Sequence, residues 1–201
     1  MAALPNKPGL LVNASAVGIY GDRGEEELDD RSAAGAGFLA SVCRDWEAAT
    51  APVSDPGIRV AMLRTGVVFA RDGGALPKLV LPFRLGVGGR IGSGRRWMSW
   101  VALSDVVRAV LYIVDDEALA GPIDVVSPDP VRRAELVRTL GWILHLPAVI
   151  PVPASAIRVP LGRMGVESLL ASQRARPARL LERGFTFERA TLEAALRAEL
   201  S

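Results

Sequence analysis

Ser15 and Tyr20 stand five positions apart in "NASAVGIYGD", Asn13 to Asp22, directly after the apolar run "LLVNA". A short uninterrupted apolar run reads as a strand covered on both faces. Open parallel sheets place ligands beyond the carboxyl ends of such strands, so Ser15 and Tyr20 are candidate catalytic groups, a hydroxyl and a phenol able to converge on one bound carbonyl. The same residues have a plainer reading, since serine, glycine and tyrosine are good strand-exit residues.

Other candidates are weaker. The loop Gly86–Gly94 resembles a phosphate cradle, but Ile91 stands where a third glycine is wanted and no Lys-Ser/Thr closes "GRIGSGRR". Arg90, Arg95 and Arg96 nonetheless suit an anionic ligand. Arg174, Arg176 and Arg179 in "QRARPAR" lack the interleaved aromatic residues that a nucleic-acid surface needs, and read as a solvated helix face. Trp46, Trp97, Trp100 and Trp142 read as core or cleft-wall residues, and His145 as a residue that packs or caps a helix end. With one cysteine, Cys43, and one histidine in 201 residues, neither an internal disulfide nor a metal cluster is expected.

The elements that must position these groups follow from the spacing of apolar residues. Half the residues are hydrophobic, so a folded core is expected. The 24 basic residues are nearly balanced by 22 acidic ones, for a formal charge of +2, which argues against a polyanion-binding protein. No apolar run is long enough to span a bilayer and the first residues do not read as a signal peptide; a cytoplasmic protein is expected, with no membrane or nucleic-acid partner.

Phe38, Leu39, Val42, Trp46 and Ala49 predict a helix from about Ala36 to Ala51, ended by Pro52. Ile58–Leu63 predicts a second buried strand. Residues 75–85 read as a helix with Pro82 as a kink or break. Ser104 is expected to cap a helix in which Val107, Val110, Leu111 and Val114 share one face and Asp105 complements the dipole. Ile123–Ser127 reads as a strand, Leu136 to Leu144 as a helix, and Leu192 to Leu200 as a last helix. Alternating strands and helices imply a parallel α/β sheet. From about residue 147 the texture turns proline-punctuated and arginine-rich, which predicts a parallel α/β domain over 1–146 and a small helical lobe over 147–201.

"SAVGIYGDRGE", "WEAA", "LRTGVVFARDGGALPKLVLPFRLGVGGRIGSGRRWMSWV", "GPIDVVSPDPVRRAELVRTLG" and "RARPARLLERGFTFERATLEAAL" together resemble the epimerase-like subgroup of extended short-chain dehydrogenases/reductases, described as NAD(P)-dependent sugar-nucleotide epimerases with a C-terminal domain of unknown function. The resemblance implies a partial Rossmann-like parallel sheet, the C-terminal half of that fold, and oxidoreductase or epimerase chemistry at a carbonyl or hydroxyl of a small, sugar-nucleotide-like substrate. It implies NADP or NAD as cofactor, touched by Arg64, Thr65, Gly66 and Val67, with Arg95, Arg96 and Trp100 toward substrate.

Three departures accompany it. The family's glycine-rich cofactor unit has no counterpart here, so the first strand corresponds to the fifth of a 3-2-1-4-5-6-7 sheet and becomes an open edge. That edge calls for a homodimer or a complementing chain, and the alternative is a non-catalytic remnant or interaction module. The family's Tyr-x-x-x-Lys pair falls on Leu39 and Cys43, or on Phe38 and Val42 in the neighbouring register. Met98 stands where nucleotide-sugar enzymes carry an arginine anchor.

Overall fold

The computed structural model describes residues 6–51, 57–89, 92–147 and 171–200. In chain order the elements are β1 (Leu10–Ala16), a 3-10 turn (Val17–Tyr20), β2 (Glu27–Leu28), α1 (Phe38–Ala48), β3 (Arg59–Thr65), β4 (Val67–Ala70), β5 (Gly73–Gly74), α2 (Leu76–Arg84), β6 (Trp97–Met98), β7 (Trp100–Ala102), α3 (Leu103–Asp115), β8 (Gly121–Val125), β9 (Val131–Arg132), α4 (Arg133–Leu144), β10 (Arg174–Ala175), α5 (Ala178–Glu182) and α6 (Leu192–Leu200). Arg90 and residues 148–170, the first part of the segment that sequence reading assigns to a helical lobe, lie outside the described residues.

The main sheet is parallel, in the order β1-β3-β8. Its strands carry small and branched apolar residues facing one side, Ala61 and Leu63 of β3 and Ile123 and Val125 of β8, on which α3 packs through Ala109 and Ile113. The alternate residues face α1 and are polar toward the strands' carboxyl ends. A second, mixed sheet, β5-β4-β7, continues directly from β3, and two short ladders, β2 with β10 and β6 with β9, tie loops to it. Phe69 and Trp100 stack with centroids 5.4 Å apart in the largest core cluster, which also holds Leu136 and Leu140 of α4 and Leu192, Ala195 and Leu196 of α6. The last helix thus shares the core of the sheet-bearing body.

Most elements fall within a few residues of expectation. α1 stops at Ala48, and Thr50 donates its N–H to the Glu47 carbonyl, so the helix closes before Pro52 is reached. Pro82 lies inside α2, which continues to Arg84. His145 ends α4 in the left-handed region, with φ 56°, where it caps the helix by donating its backbone N–H to the Trp142 carbonyl. Arg174 pairs within β10 and is not on a helix, because Ala175 is drawn into the core beside Leu28.

α3 departs furthest. Its N-cap is Ala102, not Ser104, and the face carrying Val107, Leu111 and Val114 is exposed. The helix instead turns Asp105, Ala109 and Ile113 inward. Asp105 is wholly buried and accepts the backbone N–H groups of Glu188 and Arg189 at 2.8 and 2.9 Å, with Arg108 at 3.1 Å. A carboxylate that satisfies two loop donors outweighs the apolar stripe in setting the helix's rotation, since unpaired buried N–H groups are costly. Asp105→Ala is expected to lower unfolding free energy by about 1–3 kcal/mol, the cost of stranding those donors, whereas Ser104→Ala leaves the denaturant midpoint unchanged; urea unfolding of the two variants checks both.

Candidate functional site

Parallel register brings three polar side chains level across the sheet. Ser15 of β1 lies opposite Arg64 of β3, and Arg64 lies opposite Asp124 of β8. All three are buried, and they face α1 near the carboxyl ends of their strands.

α1 answers this row with one carboxylate. Arg64 forms a two-pronged pair with Glu47, Nε to Oε1 at 2.8 Å and Nη2 to Oε2 at 2.9 Å, and Ser15 donates its hydroxyl to Oε1 at 2.8 Å. The geometry is the fork-to-fork arrangement that makes arginine–carboxylate pairs directional. Ser15 therefore sits under α1 with its proton committed to Glu47. Asn13, two residues earlier on the same face, donates from Nδ2 to the Trp46 carbonyl at 3.4 Å, so α1 is bound to β1 as well as to β3.

Tyr20 is carried inward by the 3-10 turn. Gly21 follows at φ 66°, and a Cβ there would lie 2.4 Å from the Ala36 carbonyl oxygen, so the turn requires glycine. The tyrosine is fully buried, and Arg64 Nη1 donates to its oxygen at 3.1 Å. That oxygen also lies 2.8 Å from the Asp29 carbonyl oxygen and 2.7 Å from Asp124 Oδ1. One phenolic proton cannot serve both contacts. The carbonyl can only accept, so the arrangement is fully satisfied when Tyr20 donates to Asp29 and a neutral Asp124 carboxyl donates to Tyr20.

The surroundings of Asp124 favour its neutral form. Burial, and then the neighbouring charge of Asp30, push it well above the ordinary carboxylate range. Its Oδ2 has no hydrogen-bond partner among the described residues, which is costlier for a carboxylate than for a neutral acid. Asp30 is itself raised by burial while accepting the backbone N–H groups of Asp124 and Arg179. Burial and the adjacent Asp124 likewise push the Tyr20 phenol upward, so it keeps its proton at neutral pH. Ser15 and Tyr20 are thus brought into one network through Glu47 and Arg64, but both hydroxyls point into it.

The remaining candidates separate. Arg64 spends its guanidinium on Glu47 and Tyr20. Thr65, half-buried at the end of β3, makes a long 3.4 Å side-chain contact to the Leu63 carbonyl and no other among the described residues. At Gly66 an added Cβ would lie 2.8 Å from the Ser99 carbonyl oxygen and 2.9 Å from Val126 Cγ1, so this glycine serves the close passage of two chain segments. Val67 pairs with Trp100 in the β4–β7 ladder. Trp100 is wholly buried, and its indole donates to the Asp129 carbonyl at 2.8 Å; this corrects its assignment to the substrate surface, because the ring is core.

Arg95 and Arg96 are exposed, with Arg96 paired to Asp22. Met98 is buried in the core cluster. Leu39 and Cys43, one of the two registers in which the resemblance would place a Tyr-x-x-x-Lys pair, pack against Gly18, and burial raises the Cys43 thiol. Among the described residues no group of three His, Cys, Asp or Glu is placed to hold a metal ion.

Sequence reading missed Glu47, Asp30 and Asp124 as members of this constellation. Asp124 is brought in by strand register, which appears only when strands are aligned side by side, while Glu47 comes from α1 and Asp30 from the loop after β2.

Comparison with known proteins bears on the whole arrangement. The chain is 42% identical over 186 residues to an epimerase family protein of Mycobacterium leprae, and 31% identical to a human epimerase family protein solved with NADPH, with a TM-score of 0.92. The latter match covers 98% of this chain and 67% of the human one. The chain belongs to the epimerase family of extended short-chain dehydrogenases/reductases. Residues 152–199 match the Domain of unknown function (DUF1731). A nucleoside-diphosphate sugar epimerase from Corynebacterium glutamicum is 40% identical, with a TM-score of 0.79 over 96% of this chain and 37% of its own length. The chain spans 61% of the Mycobacterium leprae relative, so part of that protein has no counterpart here.

Removing the phenol tests the network. Tyr20→Phe leaves Arg64 Nη1 and the Asp29 carbonyl short of a partner and is expected to cost about 1–3 kcal/mol. Asp124→Asn preserves a neutral donor toward Tyr20 and should cost less than Asp124→Ala. Because the folded-state pKa of Asp124 is raised, the native state holds a proton that the unfolded chain releases, and stability falls as pH rises from the ordinary carboxylate range through the folded value. Asp124→Asn should flatten that fall; urea unfolding across pH 4–9 checks it.

Proposed function

We propose that this chain forms the substrate-side half of an NAD(P)-dependent oxidoreductase or epimerase acting at a carbonyl or hydroxyl carbon of a small, sugar-nucleotide-like molecule. The observation that carries the reading is the level row of Ser15, Arg64 and Asp124 behind the carboxyl ends of three parallel strands, locked by Glu47 and Tyr20. Such a clamp fixes the strand ends where α/β sheets bind ligands, and rigid support behind a binding surface is what hydride chemistry needs.

The residues here suit only part of a dinucleotide. Thr65 supplies a hydroxyl at the end of β3, while Arg64, Gly66 and Val67 are spent on the fold, and no described loop cradles a pyrophosphate. NADP or NAD, which supplies hydride transfer when bound, would therefore meet this chain at its nicotinamide end, near Thr65 and the strand ends. Arg95 and Arg96 lie on the exposed loop before β6 and suit the charged portion of a substrate. The apolar packing at Leu39 and Cys43 argues that proton transfer, if this family member performs it, does not use the usual tyrosine–lysine pair.

That last observation also favours a second reading, a non-catalytic member that retains the clamp and binds a partner. Thermal melts distinguish the two. With the sheet completed by the part of the Mycobacterium leprae relative that this chain lacks, NADPH at about 100 times its dissociation constant should add about 2.7 kcal/mol to the folded state, and the chain alone should show no shift. A completed complex indifferent to both NADPH and NADH would end the oxidoreductase reading.

A further inference from the structure

Two arginines approach one tryptophan ring where the two short ladders meet. Trp97 of β6 pairs with Arg132 of β9, and the guanidinium carbons of Arg132 and of Arg174 in β10 each lie 4.5 Å from the Trp97 ring centroid. The Trp97 carbonyl accepts the backbone N–H of Gln173, whose side chain donates to the Gly21 carbonyl, so this cluster adjoins the turn after β1. Arg95 and Arg96 directly precede Trp97 in the chain. Next to Arg132 in sequence, Arg133 is buried, and burial together with the charge of Arg96 lowers its pKa to about 10, the mark of a region already crowded with positive charge.

The two arginines are neutralised differently. Arg174 pairs with Glu27 at 2.9 Å, and these residues stand opposite each other in the β2–β10 ladder, so strand register imposes the contact. Glu25 lies in no ladder and its side chain is 67% exposed, yet it is bound three times. Arg132 donates Nη1 to Oε1 at 3.1 Å and Nη2 to Oε2 at 2.8 Å, and the Trp97 indole donates to Oε2 at 2.8 Å. The same donors would receive a free anion in the same way, since an arginine fork is the group that recognises carboxylate and phosphoryl oxygens in pairs. Arg95 stands beside this fork, its carbonyl accepting from Arg132; its guanidinium meets no carboxylate among the described residues.

We propose that Arg132, the Trp97 indole N–H and Arg95 form an anion site for a phosphoryl group, and that Glu25 occupies this site in the free protein as a displaceable stand-in. The two oxygens of Glu25 satisfy the fork and the indole and leave the Arg95 guanidinium without a partner. A phosphoryl group brings a third oxygen and further negative charge, enough for all three groups. An exposed ion pair such as Glu25–Arg132 contributes little to the fold, so exchanging it for a ligand disturbs little else. Glu25 thereby sets a threshold for entry: a singly charged anion gains nothing over the carboxylate already there, whereas a phosphoryl group does.

The test uses the full 201-residue chain with inorganic phosphate and pyrophosphate, and neither nucleotide nor cofactor, so its failure is separable from failure of the NAD(P) reading. The Trp97 indole N–H resonance, identified by its loss in Trp97→Phe, is followed by NMR during titration at constant ionic strength, with chloride as the control anion. A saturable displacement of that resonance is expected with phosphate and not with chloride. Tighter binding of pyrophosphate would make the ligand a diphosphate, and equal or weaker binding a lone phosphoryl group. Glu25→Ala vacates the site and should tighten phosphate binding about threefold, the worth of an exposed ion pair. Glu26→Ala removes the same charge one residue away, from a carboxylate paired with Arg23, and should leave the affinity unchanged. Arg132→Gln should weaken binding about tenfold. Equal effects of Glu25→Ala and Glu26→Ala would overturn the stand-in. The site itself would be overturned by the absence of saturable displacement, by a displacement that chloride reproduces, or by an Arg132→Gln chain that binds as tightly as the wild type.

Discussion

The Glu47–Arg64 pair is the interaction on which the rest of the structure depends. Both side chains are largely withdrawn from water, so each requires the other, and losing one partner would leave a buried charge uncompensated. The pair joins α1 to the middle strand of the parallel sheet. Ser15 extends it to β1, Tyr20 to the turn after β1, and Asp124 to β8. A helix that could otherwise slide along an apolar sheet is thereby fixed at one depth and one rotation.

Polar locks of this kind explain which elements were legible in the sequence. Where apolar periodicity and burial agree, as in β1, α1, β3 and α4, boundaries lie within a few residues of expectation. In α3 they disagree, because Val107, Leu111 and Val114 form a convincing stripe that this chain leaves open. Asp105, read as a dipole partner, is the residue that decides the helix's rotation by satisfying the backbone of Glu188 and Arg189. A one-dimensional pattern cannot reveal that a loop some eighty residues away lacks acceptors.

The site was legible to a similar degree. Ser15, Tyr20 and Arg64 do converge, and the strand-exit position that drew attention to Ser15 and Tyr20 is where the network forms. The direction in which their polar atoms point was hidden, since Glu47 lies on a helix and Asp124 on a strand more than a hundred residues from Ser15. Trp100 misled for a simpler reason: an indole in a short strand near two arginines suits a binding wall or a core equally, and stacking on Phe69 with a hydrogen bond to Asp129 settles it as core.

Chemistry-bearing residue types at the ends of parallel strands have two tasks that use the same atoms. Strand ends leave the protection of the ladder, so their polar side chains must anchor the segments that follow; the same position makes them available to a ligand. In this chain the anchoring task has consumed Ser15, Tyr20, Arg64 and Asp124, through a proton count that balances only with a neutral Asp124. Under the proposed function, what is left for a ligand is the surface that this rigid group holds still: Thr65 at the end of β3 and the exposed arginines before β6.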